Sequence, residues 1–207
     1  MLVKGVKMKK NDSKFGYKFL RGLLLPIFRF YYNPKIYGSE NIPADGNILI
    51  CGNHKHIMDQ CMPIMGTKRT IHWMAKREYF DDWKVAWFFK MSGCIRVDRA
   101  IHDEEAKGAA LEVLNDGGAV GLFPEGTRNK TTDQFLLPFK FGAVSMAKKT
   151  NSKIVPFGIS GDYKFRSKNL RVIIGKPINI EKLTLEEANK KLEKEIGKLI
   201  RKGQAMD

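Results

Sequence analysis

Short apolar runs that close on turn residues alternate along this chain with stretches of helical spacing, and that alternation limits the fold more than any other feature. Asn47–Cys51 runs into Gly52 and predicts a buried strand. Ile71–Ala75, Cys94–Val97, Ala119–Phe123, Ile154–Ile159 and Leu170–Ile174 predict further strands. Between them, residues 57–66, 82–91, 101–116 and 141–150 carry helical spacing, and 101–116 stops at Gly117-Gly118, a helix-end signal. Residues 184–201 place Leu185, Ala188, Leu192, Ile196, Leu199 and Ile200 on one stripe, which reads as core packing. The pattern predicts an α/β domain whose central sheet is largely parallel or mixed and flanked by helices. A chain of 207 residues suffices for one such domain with a substantial core. In sheets of this kind ligands bind beyond the carboxyl ends of the strands, so residues just after predicted strands are the first candidates for function.

The charge balance adds a second constraint. With 37 basic and 22 acidic residues the formal net charge is +15, which favours polyanionic partners: nucleic acid, an anionic membrane face or phosphorylated substrates. The excess is concentrated at the front, where Lys4, Lys7, Lys9, Lys10, Lys14, Lys18, Arg21, Arg29 and Lys35 face only Asp12 and Glu40. That stretch runs into Phe19–Tyr32, an apolar and aromatic segment interrupted by Arg21, Pro26 and Arg29. It falls short of the ~20 apolar residues that span a bilayer, and no transmembrane helix is predicted. Residues 1–35 therefore read as a basic amphipathic helical segment that docks on an anionic membrane surface, or as a first helix packed on the domain formed by 36–207. Cys51, Cys61 and Cys94 form no CxxC pair and read as reduced thiols of a cytoplasmic compartment. The expected location is peripheral, on the cytoplasmic face of the cell membrane.

Two segments at predicted strand exits carry chemistry. In Asn53-His54-Lys55-His56-Ile57-Met58-Asp59 the aspartate lies five residues after His54. That spacing serves no single helical face, but it works when the histidine sits in a turn and the aspartate reaches back from the following helix. The carboxylate then fixes the imidazole tautomer and favours the imidazolium that forms when the ring takes a proton. His56 adds a second possibility, because His54, His56 and Asp59 together have the donor types of a zinc site. In Phe123-Pro124-Glu125-Gly126-Thr127-Arg128, Gly126 permits close backbone approach, Thr127 offers a hydroxyl, and Arg128 a planar fork suited to phosphate. No Walker-type loop or GxGxxG run is present, so a nucleotide cradle is not indicated.

The order of these blocks resembles the glycerolipid acyltransferase family, most closely the 1-acylglycerol-3-phosphate acyltransferases. Ala75-Lys76-Arg77-Glu78, Gly93-x-Ile95-x-Val97-Asp98-Arg99, Lys140-x-Gly142-Ala143 and Ile154-Val155-Pro156-Phe157-Gly158-Ile159 extend the resemblance from about Tyr37 to Pro177. One position departs from it: the family usually has serine where this chain has His56. The resemblance implies that His54 takes the proton from the sn-2 hydroxyl of a lysophospholipid acceptor as it attacks an acyl thioester, with Asp59 orienting His54. It implies an acceptor-phosphate site made of Arg99, Gly126, Thr127 and Arg128, with Glu125 helping to position the glycerol. Lys76 becomes the candidate oxyanion donor, or a plain surface lysine. The donor is acyl-coenzyme A or acyl-carrier protein, and neither a cofactor nor a metal is called for.

Three other readings compete. The acceptor could be another lysophospholipid or glycerol 3-phosphate; the chain could be a metal-dependent hydrolase built on His54, His56 and Asp59; or it could be a basic nucleic-acid-binding module. For the last, no recognised nucleic-acid motif is present and the front charges are interleaved with apolar residues, so no nucleic acid is expected as a partner.

Overall fold

A computed structural model of the chain describes residues 12–98, 100–101, 103–131 and 134–206. Seven strands form one sheet in the order β1-β7-β6-β2-β5-β3-β4: β1 Lys35–Tyr37, β2 Ile48–Gly52, β3 Ile71–Lys76, β4 Ile95–Val97, β5 Ala119–Leu122, β6 Lys153–Ser160 and β7 Arg171–Ile174. All pairings between them are parallel except β6 with β7. The helices are α1 Asp12–Tyr32, α2 Cys61–Met65, α3 Glu78–Asp81, α4 Trp83–Met91, α5 Glu104–Asn115, α6 Gly142–Thr150 and α7 Leu185–Gln204.

Strand alternation divides the core into two layers. Leu49 and Cys51 of β2 point to the face covered by Ala110 and Leu114 of α5, Ala143 and Ala147 of α6, and Leu192 and Ile196 of α7. Ile48 and Ile50 point the other way, to Met62 of α2 and Phe28 of α1, with Ile71, Val155, Phe157 and Val172 beside them. Central strands buried on both faces explain why their sequences are continuous apolar runs. Local signals set the helix starts. Thr184 and Glu187 form a reciprocal capping box at α7, and the Asp82 and Asp103 side chains accept backbone N–H bonds at the starts of α4 and α5.

Three elements differ from the sequence expectation, one of them α3, whose four residues are too few to show a helical period. The helix predicted over 57–66 is confined to Cys61–Met65, because the residues before it form the turn that holds Asp59. Strand β1 escaped the sequence reading: three residues at a sheet edge, between a helix and a short 3₁₀ turn, are too few to show a period. The front segment is a helix from Asp12 to Tyr32 that passes through Pro26; residues 1–11 lie outside the described residues. Tyr17, Leu20 and Phe28 are buried against the domain, whereas Phe15, Phe19, Leu23, Ile27 and Phe30 are exposed on the opposite stripe. No described helix is long and apolar enough to cross a membrane.

Two glycines make opposite predictions. A Cβ on Gly52, the last residue of β2, would lie 2.2 Å from the Phe157 ring, whereas a Cβ on Gly22 of α1 meets nothing within 4 Å. Gly52→Ala should destabilise by about 1–3 kcal/mol through overpacking. Gly22→Ala should stabilise by up to about 1 kcal/mol through helix propensity. Urea unfolding of the two variants beside the native chain checks both signs.

Candidate active site

The loop leaving β2 is fixed before it reaches its histidine. Asn53 Nδ2 donates to the Ile159 carbonyl at 3.0 Å and the Ile159 N–H donates to Asn53 Oδ1 at 2.7 Å, so one buried amide clamps the loop to β6. The next five residues wrap around Asp59, which has no exposure to solvent. Its Oδ2 accepts from His54 Nδ1 at 2.9 Å and from the backbone N–H groups of Lys55 and His56 at 2.6 and 2.7 Å. Its Oδ1 accepts from the Tyr163 hydroxyl at 2.6 Å. An ionised carboxylate only accepts, so the His54 proton sits on Nδ1 and Nε2 carries the free lone pair. A carboxylate buried this fully is tolerable because four donors replace its water.

The second segment is stitched to the first. His54 N–H donates to Glu125 Oε1 at 2.7 Å, Leu137 N–H donates to Oε2 at 2.9 Å, and Asn129 N–H donates to the His54 carbonyl at 2.6 Å. Burial pushes the Glu125 carboxyl above its ordinary range, and the two backbone donors oppose that push. The sequence reading gave Glu125 to the glycerol; here both its oxygens tie backbone to backbone. Phe123 lies flat on the His54 ring, with centroids 4.0 Å apart and planes 7° from parallel, and Trp73 stacks on Phe123 from behind at 5.0 Å. The imidazole is thus gripped at one edge by Asp59 and on one face by Phe123. Gly126 has φ +71°, a left-handed turn that lets the Lys140 side chain pass where a Cβ would stand.

A cavity of about 350 Å³ opens beside His54. Leu20 and Leu24 of α1, with Trp73 and Phe89, give it apolar walls, and Lys76, Thr127, Arg128 and Lys130 also line it. That is the size and mixture of a small-ligand site. Arg128 has no carboxylate partner among the described residues, whereas Lys76 Nζ lies 2.7 Å from Glu78 in an exposed pair. Such a pair is weak and easily exchanged for another anion. Of the residues singled out in the sequence, His54, Asp59, Lys76, Gly126, Thr127 and Arg128 therefore gather at one end of the sheet; Arg99 lies outside the described residues.

The metal alternative fares differently. His56 does not share a centre with His54 and Asp59: its ring stacks on Tyr163 at 4.1 Å and its Nδ1 accepts from the Met58 N–H at 3.3 Å. Burial lowers its pKa despite the Asp59 charge. With both Asp59 oxygens engaged, these donors do not fit a shared ion, and no group of three such side chains converges among the described residues. Tyr163 was missed in the sequence because it lies 104 residues from Asp59 in a connection with no motif of its own. Asn53 was read only as part of its motif; nothing before the structure indicated its clamp on β6.

Comparison with known proteins agrees with this geometry. A family described as Acyltransferase matches residues 33–160. A Bacillus subtilis (strain 168) 1-acyl-sn-glycerol-3-phosphate acyltransferase is 31% identical over 168 residues, covering 79% of this chain and 82% of the relative. A protein of the same name from Borreliella burgdorferi is 35% identical over 135 residues, which are 64% of this chain and 53% of that one. The crystal structure of the 1-acyl-sn-glycerophosphate (LPA) acyltransferase PlsC from Thermotoga maritima superposes with a TM-score of 0.73 at 26% identity, covering 94% of this chain and 80% of that chain. The chain belongs to the acyltransferase family.

Proposed function

We propose that this protein transfers a fatty acyl group from an acyl thioester to the sn-2 hydroxyl of 1-acylglycerol 3-phosphate, giving phosphatidic acid. The observation that carries the reading is His54 itself: oriented through Nδ1, stacked on Phe123, and placed on the wall of an apolar cavity that also presents cationic side chains. The names of the Bacillus, Borreliella and Thermotoga relatives support the same acceptor.

His54 Nε2 takes the proton of the acceptor hydroxyl as its oxygen attacks the thioester carbonyl. The imidazolium is held by Asp59, and the carbonyl oxygen becomes an oxyanion in the tetrahedral intermediate. Lys76, released from Glu78, is the donor we assign to that oxyanion, an interaction that is worth several kcal/mol in a preorganised site. When the carbon–sulfur bond breaks, the imidazolium returns its proton to the departing thiolate, which leaves a free thiol and the new ester. Arg128, Thr127 and the Gly126 turn hold the acceptor phosphate, and the family resemblance assigns Arg99 to the same role. Glu125 acts as the brace between the two loops. The apolar walls receive hydrocarbon, and either coenzyme A or carrier protein, both acidic, suits a chain of +15.

Residues 1–35 form the docking segment in this reading and 36–207 the acyltransferase domain. Support comes from the exposed stripe of α1, flanked by Lys18 and Arg29, and from Trp83 and Trp87 on α4, 81% and 58% exposed. Aromatic side chains beside cations suit the boundary of an anionic leaflet, so we place the protein peripherally on the cytoplasmic face of the cell membrane.

Four outcomes are expected. Native protein given 1-acylglycerol 3-phosphate and an acyl thioester, with chelator present, forms phosphatidic acid. The His54→Ala variant loses roughly 10²-fold or more while remaining folded. Inactivity of the native protein with both donor types would refute the acceptor assignment. Glu125→Gln offers one acceptor and one NH₂ to two backbone donors, so unfolding by urea should show a loss of about 1–3 kcal/mol. On vesicles containing anionic lipid, co-sedimentation should weaken with salt and drop further in a Phe19→Glu, Ile27→Glu double variant. Equal binding by that variant would remove α1 as the docking face.

A further inference from the structure

Tyr163 lies in the connection from β6 to β7, far from both chemical motifs in sequence. Its ring is held between His56, stacked at 4.1 Å, and Tyr32 at the end of α1, edge-on at 5.4 Å. The connection is fastened nearby: Arg166 N–H donates to the Tyr31 carbonyl at 2.7 Å, and Lys55 Nζ bonds the Gly161 carbonyl. The hydroxyl therefore meets Asp59 Oδ1 at 2.6 Å from a fixed frame. Burial, followed by the Asp59 charge, raises the Tyr163 pKa well above its ordinary value, so the phenol stays a donor.

We propose that Tyr163 is a positioning residue for the catalytic pair, holding Asp59 through Oδ1 so that Oδ2 stays on Nδ1 of His54. The inference rests on His54 being the base. All three other donors to Asp59 converge on Oδ2. Tyr163 is the one described side chain bonded to Oδ1, and it thus sets the plane of the carboxylate. It also draws off part of the negative charge that would otherwise bear on the imidazolium. The other titratable groups around the pair are Lys55, His56 and Cys61 from the wrapped loop and α2, Glu125 and Arg128 from the turn after β5, and Tyr32 from α1. None of them is hydrogen-bonded to Oδ1.

Tyr163→Phe keeps the ring stack and removes only the hydroxyl. Its kcat should fall about tenfold or more, within the range a positioned base supplies, while KM for both substrates stays within about twofold. A carboxylate with one oxygen unoccupied holds the imidazolium more strongly. The acidic limb of the kcat/KM profile, and the midpoint of the His54 Cε1–H NMR titration, should both move upward by roughly half a pH unit. Replacement of Tyr163 by 3-fluorotyrosine, a stronger donor, should move both the opposite way. Tyr32→Phe, which removes a hydroxyl not bonded to Asp59, should move neither. Native kcat and an unmoved midpoint in Tyr163→Phe would overturn the assignment. If the native protein transfers no acyl group the reading of His54 as base fails, and the NMR midpoints alone still decide whether Tyr163 governs the pair.

Discussion

Two buried carboxylates govern the geometry of this site. Asp59 is fully enclosed and Glu125 is 3% exposed. Neither charge survives such burial without donors around it, and the surroundings supply them from distant parts of the chain. Around Asp59 the loop after β2 must curl so that the Lys55 and His56 N–H groups point inward, which brings His54 Nδ1 onto the same oxygen. Around Glu125 the loops after β2 and β5 must approach until His54 and Leu137 N–H groups reach one side chain. The position of the imidazole is thus the result of satisfying two acids.

The sheet explains why these parts meet. Parallel strands β2, β5, β3 and β4 all release their chains at the same edge, so His54, the Phe123–Arg128 turn, Lys76 and Asp98 emerge side by side. Strand β6 runs the same way, and β7 returns antiparallel to it. The link between β6 and β7 therefore crosses that same edge, which carries Tyr163 to Asp59. A parallel crossover at this place would have sent the chain over a face of the sheet, away from the carboxylate. The one antiparallel pair among the described strands has a consequence for chemistry as well as for shape.

Legibility in the sequence followed the range of the interactions. Strands β2, β5, β6 and β7 were visible because double-sided burial leaves nearly continuous apolar runs, β3 and β4 as shorter apolar stretches between helical ones, and α5 and α7 because their stripes and end signals are local. His54, Asp59 and the Phe123–Arg128 turn were visible as short motifs in a family order, and the structure brings those described to one edge. What could not be read is long-range and made by ordinary residues. The bracing contacts of Glu125 could not be read because its backbone partners leave no trace in composition. His56 looked like a metal ligand because donor type is legible and ring direction is not. Strand β1 and Tyr163 depend on partners more than a hundred residues away.

The helix α1 joins the remaining parts of the proposal. One side of it carries Leu20 and Leu24 into the cavity wall, and the other carries the exposed Phe15, Phe19, Leu23, Ile27 and Phe30. A chain of CH₂ groups leaving a bilayer for an isolated pocket through water would cost about 0.8 kcal/mol for each group exposed on the way. A helix that lies in the interface while lining the pocket removes that crossing, because its two sides are separated by little more than its own ~10 Å diameter. The end of the same helix holds Tyr31 and Tyr32 against the β6–β7 connection, where Tyr163 meets Asp59. On the proposed reading, the element that meets lipid also supports the residue that aligns the base, so substrate entry and proton transfer share one mechanical frame.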